Sequence, residues 1–203
     1  MDREIARNTV KVNRNGWVID GQARILLCAS LFYFRIPSMF WKQRLAQVKA
    51  AGYHAIDVYF PWNYHEREYE NWNFSGERDV EAFLKMAHEA GLFVVARPGP
   101  YICSEWDGGG IPAYVLTDDQ AQIRQSDPVF LKAVDRWFRR IIPILRKYEW
   151  GGPNGHGSVI AVQLENELDF YQCEDPASYI QALRDMALRY GITVPLFACA
   201  GQG

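Results

Sequence analysis

The sequence lacks the features that mark membrane-spanning and nucleic-acid-binding proteins. No stretch of its 203 residues approaches the roughly 18 consecutive apolar residues that a membrane helix needs. Its 22 basic and 24 acidic side chains nearly balance, so no excess of positive charge favours nucleic acid or an anionic membrane as a partner. We therefore expect a neutral, polar ligand.

Cysteine and histidine are also scarce, with four of each. The cysteines lie far apart without the spacing of metal ligands, which predicts free thiols. The histidines form no His-x-His or His-x-x-x-His pair, and neither a Walker-type loop nor a dinucleotide fingerprint is present. The sequence predicts neither a metal site nor a bound cofactor.

A secretory signal is not visible at the start of the sequence. Residues 1–14 are polar and mixed in charge, whereas a signal peptide is basic and then apolar. We expect a cytoplasmic location on this ground, with secretion of a longer protein left open. The overall composition, 49% hydrophobic and 23% charged, is typical of a globular protein that can bury a core.

What the sequence does contain is a regular alternation of short apolar segments and longer amphipathic ones. The pair Asn15-Gly16 predicts a hairpin within residues 10–19, so residues 1–23 are assigned to an N-terminal hairpin segment and residues 24–203 to the main domain. Strands are predicted at 24–31, 54–60, 92–97, 158–165 and 194–199, and helices at 38–51, 78–90, 128–148 and 176–190. The expected N-caps are Ser38 and Asp127, and the expected C-terminal glycines are Gly52, Gly91 and Gly191.

Two parallel architectures fit this alternation, a doubly wound open sheet and a (β/α)8 barrel. In the fourth main strand Ile160, Val162 and Leu164 share one face, and Gln163, Glu165 and Glu167 would share the other. A doubly wound sheet buries two apolar faces, whereas a barrel interior becomes polar towards its active site. The predicted fold class is therefore α/β, an incomplete (β/α)8 TIM barrel of about the first five βα units.

Polar side chains cluster just beyond three of the predicted strands. One cluster begins at Tyr59, a second runs from Arg97 to Asp107, and a third is Asn166-Glu167. Barrel enzymes build their sites from the carboxyl ends of several strands, so we expect these clusters to share one site.

Glu167 is the candidate general acid/base of a glycosidase. Cleavage of a glycosidic bond needs a carboxylic acid to protonate the leaving oxygen, and Asn166 could hold a sugar hydroxyl beside it. The alternative for Glu167 is a helix cap or an ion pair in the lumen. Glu165 is expected to be a structural partner of Arg97, and Arg97 either orients a ligand or is a paired lumen charge.

The same residues resemble glycoside hydrolase family 35, a β-galactosidase family, from about residue 33 to the end of the chain. The motifs that carry the resemblance are Tyr33-Phe34-Arg35-Ile36-Pro37, Tyr59-x-x-Trp62-Asn63-x-His65-Glu66, Arg97-Pro98-Gly99-Pro100-Tyr101-Ile102-Cys103-x-Glu105-Trp106, Gly109-Gly110-Ile111-Pro112-Ala113, Ser126-Asp127-Pro128 and Gln163-x-Glu165-Asn166-Glu167.

The resemblance implies retaining hydrolysis of terminal, non-reducing β-D-galactosyl residues, with Glu167 as the catalytic acid/base. It also implies that the substrate is held by Tyr59, Cys103, Ser104, Glu105 and Asn166. By the same resemblance the nucleophilic glutamate belongs to a later strand, past Gly203. We therefore expect this chain alone to be inactive, or nearly so.

Three departures from the family pattern leave the sugar preference open. Phe32 lies where the family usually has part of a Ser-Gly-x-x-His run, Leu168 replaces an aromatic residue, and Ser104 replaces alanine. A non-catalytic carbohydrate-binding remnant, or a glycosidase of the same clan with another specificity, are the alternative functions. The expected partners are a β-galactoside or related oligosaccharide and, because a half-barrel exposes strand edges, the remaining barrel half or a second copy.

Overall fold

The structure is a computed structural model that describes residues 9–14, 16–153 and 157–201. A small antiparallel sheet comes first, with strands β1 (Val10–Asn13), β2 (Gly16–Ile19) and β3 (Gln22–Arg24) in that order. The predicted hairpin is confirmed, although Asn15 of its turn lies outside the described residues. The third strand was not predicted. It forms because Asp20 and Gly21 both have positive φ, the conformation that a tight hairpin turn requires.

The first strand of the main sheet is shorter than predicted. Arg24 pairs with Trp17 in the N-terminal sheet, and the main sheet begins only at β4 (Cys28–Ser30). Four further strands follow it in a parallel sheet of order β4-β5-β6-β7-β8. Their bounds are Ala55–Tyr59 for β5, Phe93–Gly99 for β6, Val159–Leu164 for β7 and Leu196–Phe197 for β8.

Helices connect the parallel strands, as the alternation predicted. The four long ones are α1 (Trp41–Ala50), α3 (Val80–Glu89), α5 (Pro128–Lys147) and α6 (Pro176–Arg189), and the two short ones are α2 (Trp62–His65) and α4 (Ala113–Leu116). Short 3₁₀ segments span Tyr33–Arg35, Ser38–Phe40, Gly76–Arg78, Asp107–Gly110 and Leu168–Phe170.

The predicted cap residues are confirmed except at Ser38. The Asp127 carboxylate accepts a hydrogen bond from the Phe130 amide at 2.7 Å and caps α5. Ser38 lies instead in a 3₁₀ turn before α1, where its hydroxyl and amide both bind Glu77, so it caps no α-helix. The glycines just beyond α1, α3 and α6 all have positive φ, as a C-terminal glycine does: Gly52, Gly91 and Gly191.

The core lies between the sheet and the four long helices. Every residue of β7 is buried, and Phe138, Ile141 and Leu145 of α5 are fully buried. This packing holds the carboxyl ends of β5, β6 and β7 together at one end of the sheet. Among the described residues, no helix is both long and apolar enough to cross a membrane.

Candidate active site

The three polar clusters follow strands whose carboxyl ends lie at the same end of the sheet. Tyr59 at the end of β5 is in register with Arg97 of β6, and Gly99 of β6 is in register with Leu164 of β7. Because the strands are parallel, the residues that follow them enter the same space. This is the arrangement that the sequence predicted.

Asn166 is the centre of a hydrogen-bond network at the carboxyl ends of these strands. Its Oδ1 lies 2.7 Å from Arg97 Nη2, 3.3 Å from the Tyr59 hydroxyl, 3.4 Å from Gln163 Nε2 and 3.5 Å from Cys199 Sγ. Four donors around one oxygen fix the orientation of the side-chain amide. Among the described residues Nδ2 has no acceptor, which leaves this N–H group available to a ligand.

Arg97 links Asn166 to β5. Its Nη1 lies 3.0 Å from Asp57 Oδ2, and its guanidinium lies 4.0 Å from the centre of the Tyr59 ring. Asp57 in turn accepts a 2.6 Å hydrogen bond from the Ser30 hydroxyl of β4. Arg97 is thus a paired charge that also orients Asn166; its contact with a ligand stays a prediction.

Burial makes the Tyr59 hydroxyl a weaker acid than an ordinary tyrosine. It raises the pKa of the Tyr59 hydroxyl to about 12. Tyr59 therefore remains a hydrogen-bond donor rather than a phenolate.

The prediction that Glu165 pairs with Arg97 is wrong. Glu165 Oε1 lies 3.0 Å from Arg124 Nη2, and Oε2 accepts a 2.5 Å hydrogen bond from the Tyr179 hydroxyl of α6. Burial raises the pKa of Glu165, while Arg124 and the hydrogen bonds oppose that rise.

The physical reason lies in the backbone after β7. The strand ends at Leu164, and Glu165 has a φ of 62°, so the alternation of side chains stops there. Glu165 contacts Tyr179 of α6, whereas Gln163 contacts Cys199 at the end of β8. The prediction that Gln163, Glu165 and Glu167 share one face of the strand is therefore wrong, because the strand ends at Leu164.

Glu167 lies one residue beyond Asn166, half-buried and with a φ of 48°. Its carbonyl accepts a hydrogen bond from Phe170 and begins the 3₁₀ segment Leu168–Phe170. Its carboxylate has no hydrogen bond or ion pair with the other described residues. Among the described residues this side chain therefore neither caps a helix nor forms an ion pair, which were the alternatives to a catalytic role.

The loop after β6 contains an unusual left-handed segment. Cys103, Ser104 and Glu105 have φ values of 54°, 55° and 43°. Such a conformation is unfavourable for residues other than glycine and persists only where the surroundings fix it. Arg35 does so, because its Nη2 donates to the Ser104 and Glu105 carbonyls at 2.7 and 2.8 Å.

The Ser104 hydroxyl is an unsatisfied polar group in this loop. The residue is 5% exposed, and its Oγ has no hydrogen-bond partner among the described residues. A buried hydroxyl without a partner costs free energy of folding, so such a group in a candidate site is a candidate for ligand contact.

Left-handed residues other than glycine converge on the site. Of the eight in the described chain, six lie in the loops that follow β6 and β7: Cys103, Ser104, Glu105, Arg124, Glu165 and Glu167. Strained conformations cluster where a protein fixes side chains for a ligand.

The structure joins some of the predicted site residues directly and others only through neighbours. Tyr59 and Asn166 are hydrogen-bonded, and Glu167 is adjacent to Asn166 in the chain. Cys103, half-buried, is near enough to Tyr59 to influence its pKa. Ser104 and Glu105 are held by Arg35, and Glu105 is exposed.

Five supporting residues were not predicted as part of the site. Arg35 and Gln163 lie within the motifs of the resemblance, so sequence position alone could have suggested them. Nothing in the sequence pairs Asp57, Arg124 or Cys199 with the site, because each contacts site residues that are distant in the chain. The five supporting residues are Arg35, Asp57, Arg124, Gln163 and Cys199. In the described chain no three His, Cys, Asp or Glu side chains are grouped so as to hold a metal ion.

Comparison with known proteins agrees with this arrangement of motifs. A profile of the glycosyl hydrolases family 35 matches residues 17–202, nearly the whole chain. The chain belongs to glycosyl hydrolase family 35.

Curated relatives of this family 35 chain include proteins named beta-galactosidase. That of Felis catus is 46% identical over 173 residues, covering 83% of this chain and 25% of the relative. That of Homo sapiens is 44% identical over 164 residues, covering 80% and 24% respectively. The chain spans about a quarter of the length of these relatives.

Solved structures with a similar fold are glycosidase barrels. A GH5_18 protein from Streptomyces cattleya in complex with GlcNAc has a TM-score of 0.69 at 14% identity, covering 88% of this chain and 45% of that one. An exo-beta-1,4-mannosidase from an Opitutaceae bacterium has a TM-score of 0.61 at 20% identity, covering 83% and 30%. At these identities the likeness shows the fold alone, an incomplete TIM barrel.

Proposed function

We propose that the protein to which this family 35 chain belongs is a retaining exo-β-galactosidase that removes terminal, non-reducing β-D-galactosyl residues. The observation that carries the proposal is the fixed Asn166 amide beside Tyr59, next to the Glu167 carboxylate, which has no partner among the described residues. A positioned amide with a neighbouring carboxyl group can hold a sugar hydroxyl while a proton passes to the leaving oxygen. The names of the curated relatives support galactose as the sugar.

Glu167 is the proposed general acid in the first step and general base in the second. It protonates the glycosidic oxygen as the bond to the anomeric carbon breaks, and later takes a proton from the water that releases the sugar. In this proposal Tyr59 and Asn166 hold the galactosyl unit with the loop residues Cys103, Ser104 and Glu105. A second carboxylate from a later strand forms the covalent intermediate, so the 203 residues by themselves do not turn over substrate.

The role of Glu167 predicts a dependence on the leaving group. In the full-length protein, Glu167→Gln should slow hydrolysis of lactose by about 10²- to 10⁴-fold, because the departing sugar hydroxyl needs a proton. Hydrolysis of an activated dinitrophenyl β-galactoside should fall much less in its glycosylation step, since that leaving group departs unprotonated. The measurement is kcat/KM for both substrates.

Asp169→Asn is a suitable control, since Asp169 is an exposed carboxylate two residues away that binds the Gly201 amide. Equal loss on both substrates in Glu167→Gln would contradict the acid role. A panel of aryl glucosides and mannosides tests the alternative of another sugar specificity, which Phe32 makes relevant because its ring lies 5.4 Å from that of Tyr59. Galactose binding without turnover by the full-length protein would instead favour the binding remnant.

A further inference from the structure

A second cleft lies beside the candidate active site and takes no part in the network around Asn166. It has a volume of about 470 Å³ and opens between α2, the 3₁₀ segment Gly76–Arg78 and the turn at Asp107–Gly110. We call it the arginine cleft. Its polar and aromatic lining consists of Asn63, Tyr64, Arg67, Arg78, Trp106 and Asp107.

The charges of the arginine cleft are not balanced. Among the described residues neither Arg67 nor Arg78 has a carboxylate within 4.0 Å, whereas Arg97, Arg124 and Arg136 each have one. Asp107 is the single acidic residue of the described lining. Two guanidinium groups face one carboxylate, so the cleft has a net positive charge and favours an anion.

The wall of the arginine cleft is fixed before any ligand binds. The Arg78 guanidinium lies 4.8 Å from the centre of the Tyr64 ring, and the Tyr64 hydroxyl donates to the Glu77 carbonyl at 3.1 Å. Trp106 Nε1 donates to Asn63 Oδ1 at 2.8 Å. A guanidinium that lies over a ring has five N–H groups and retains donors for a ligand.

The cleft shares this wall with the proposed sugar-binding loop. Trp106 directly follows Glu105, and Asn63 Nδ2 donates to the Asp107 carbonyl at 2.8 Å. Consecutive Cα atoms are about 3.8 Å apart, so the cleft begins within roughly one sugar ring of the loop that holds Ser104 and Glu105. A group attached to a sugar in the candidate site could therefore reach it.

We propose that the arginine cleft binds the sulfate or carboxylate group of an acidic saccharide whose galactosyl unit occupies the candidate active site. The planar donor fork of a guanidinium matches both oxyanions, and two forks on one cleft favour a charged saccharide over a neutral one. The saccharide part of this proposal rests on the proposed function. The anion-binding part does not.

The anion site can be tested on the 203-residue chain with inorganic sulfate as the probe. We expect a saturable shift of the Trp106 indole N–H resonance in an NMR titration at low salt. In Arg67→Gln/Arg78→Gln the apparent affinity should fall by about tenfold or more, since both charge-assisted contacts are lost. Arg24→Gln/Arg44→Gln, two exposed arginines without an ion pair among the described residues, removes the same net charge and should leave the titration unchanged.

The saccharide assignment is tested by titrating galactose, galactose 6-sulfate and galacturonate. One of the acidic sugars should bind about tenfold more tightly than galactose at low salt, and the Arg67/Arg78 variant should lose this advantage. Comparison of the two acidic sugars identifies sulfate or carboxylate as the preferred group. Thermal unfolding of both double variants checks that they remain folded.

Each outcome has a separate meaning. The absence of a saturable sulfate shift, or a shift unchanged in Arg67→Gln/Arg78→Gln, overturns the anion site. Sulfate binding without tighter binding of either acidic sugar leaves an inorganic anion only and overturns the saccharide assignment. If sulfate binds in the expected way and galactose does not bind, the anion site stands and the proposed function loses its support in this chain.

Discussion

Ser104 and Ser158 are two buried serines whose hydroxyls lack a hydrogen-bond partner in the described chain, and they differ in where they lie. Ser104 is in the left-handed segment of the candidate site, whereas Ser158 directly precedes β7 at the opposite end of the strand. An unpaired hydroxyl costs stability at either position. Only the Ser104 hydroxyl lies where it could contact a ligand.

We predict that Ser104→Ala and Ser158→Ala each raise the free energy of unfolding by about 1 kcal/mol, because each removes an unsatisfied group. Only Ser104→Ala should weaken galactose binding, by a few-fold, the value of about one neutral hydrogen bond. Urea unfolding and calorimetry with galactose measure the two effects. A Ser104→Ala variant that binds galactose as the unaltered chain does would remove the hydroxyl from the site.

His65 gives the protein a stability that depends on pH. It is fully buried between the Tyr33 hydroxyl at 2.5 Å and the Asn73 carbonyl at 2.9 Å, and burial lowers its pKa to about 4. The folded protein therefore keeps a neutral imidazole, while the unfolded chain takes up a proton below about pH 6.5. Stability falls as the pH falls through this interval.

We predict a loss of about 3 kcal/mol from this residue between pH 6.5 and pH 4, since one pKa unit corresponds to about 1.4 kcal/mol. Urea unfolding at several pH values measures it, and NMR titration of the His65 ring tests the low pKa in the unaltered protein. His54→Gln, at an exposed histidine, should retain the loss, and His65→Gln should lack it. An imidazole that titrates near pH 6.5 in the folded protein would be inconsistent with the prediction.

At the scale of the element, the turn Asp107–Gly110 determines how the loop after β6 packs. Gly109 has a φ of 60°, and a Cβ atom there would lie 1.9 Å from Cε2 of the Tyr101 ring. That ring lies 3.8 Å from the Arg124 guanidinium, which holds Glu165. A displaced Tyr101 would thus disturb both loops of the site.

Gly109→Ala should therefore be more destabilising than Gly52→Ala. Both glycines have positive φ and share the cost of about 1 to 2 kcal/mol for a left-handed alanine, but Gly52 has open space around it. We expect an additional loss of about 1 to 3 kcal/mol in Gly109→Ala from the steric overlap, and weaker galactose binding. Denaturant unfolding and calorimetry provide the comparison, and equal losses of stability would show that Tyr101 yields without cost.

At the scale of the whole molecule, the parallel sheet has two short edge strands. Among the described residues β4 and β8 each pair on one side only, and β8 pairs through just two residues. Phe197 of β8 is 38% exposed. Unpaired strand edges with exposed apolar side chains favour pairing with another chain.

We predict that the 203-residue chain self-associates in a concentration-dependent way, or binds a separately produced segment that supplies the rest of the barrel. Light scattering after size-exclusion chromatography should show the associated fraction. Phe197→Asp should reduce that fraction, whereas Val12→Asp, at an exposed residue of the N-terminal sheet, should not. A monomer at every concentration, with no binding of the second segment, would contradict the prediction.

The cytoplasmic location stays a prediction.

The order of the parallel strands and the four long helices, the family and the segments that meet at the site could all be read from the sequence. Periodicity and the turn and cap residues act locally, so they can be read from adjacent positions, as at Asp127 and Gly52. The error at Ser38 arose because a cap depends on where the helix axis begins, and Glu77, 39 residues away, binds that side chain.

The supports of the site became visible only in the folded chain. The left-handed φ of Glu165 ended the strand's alternation and turned that carboxylate to Arg124 and Tyr179, away from Arg97. Arg35 reaches the Ser104 carbonyl across 69 positions of sequence. Such contacts depend on the packing of distant segments, which no local pattern specifies.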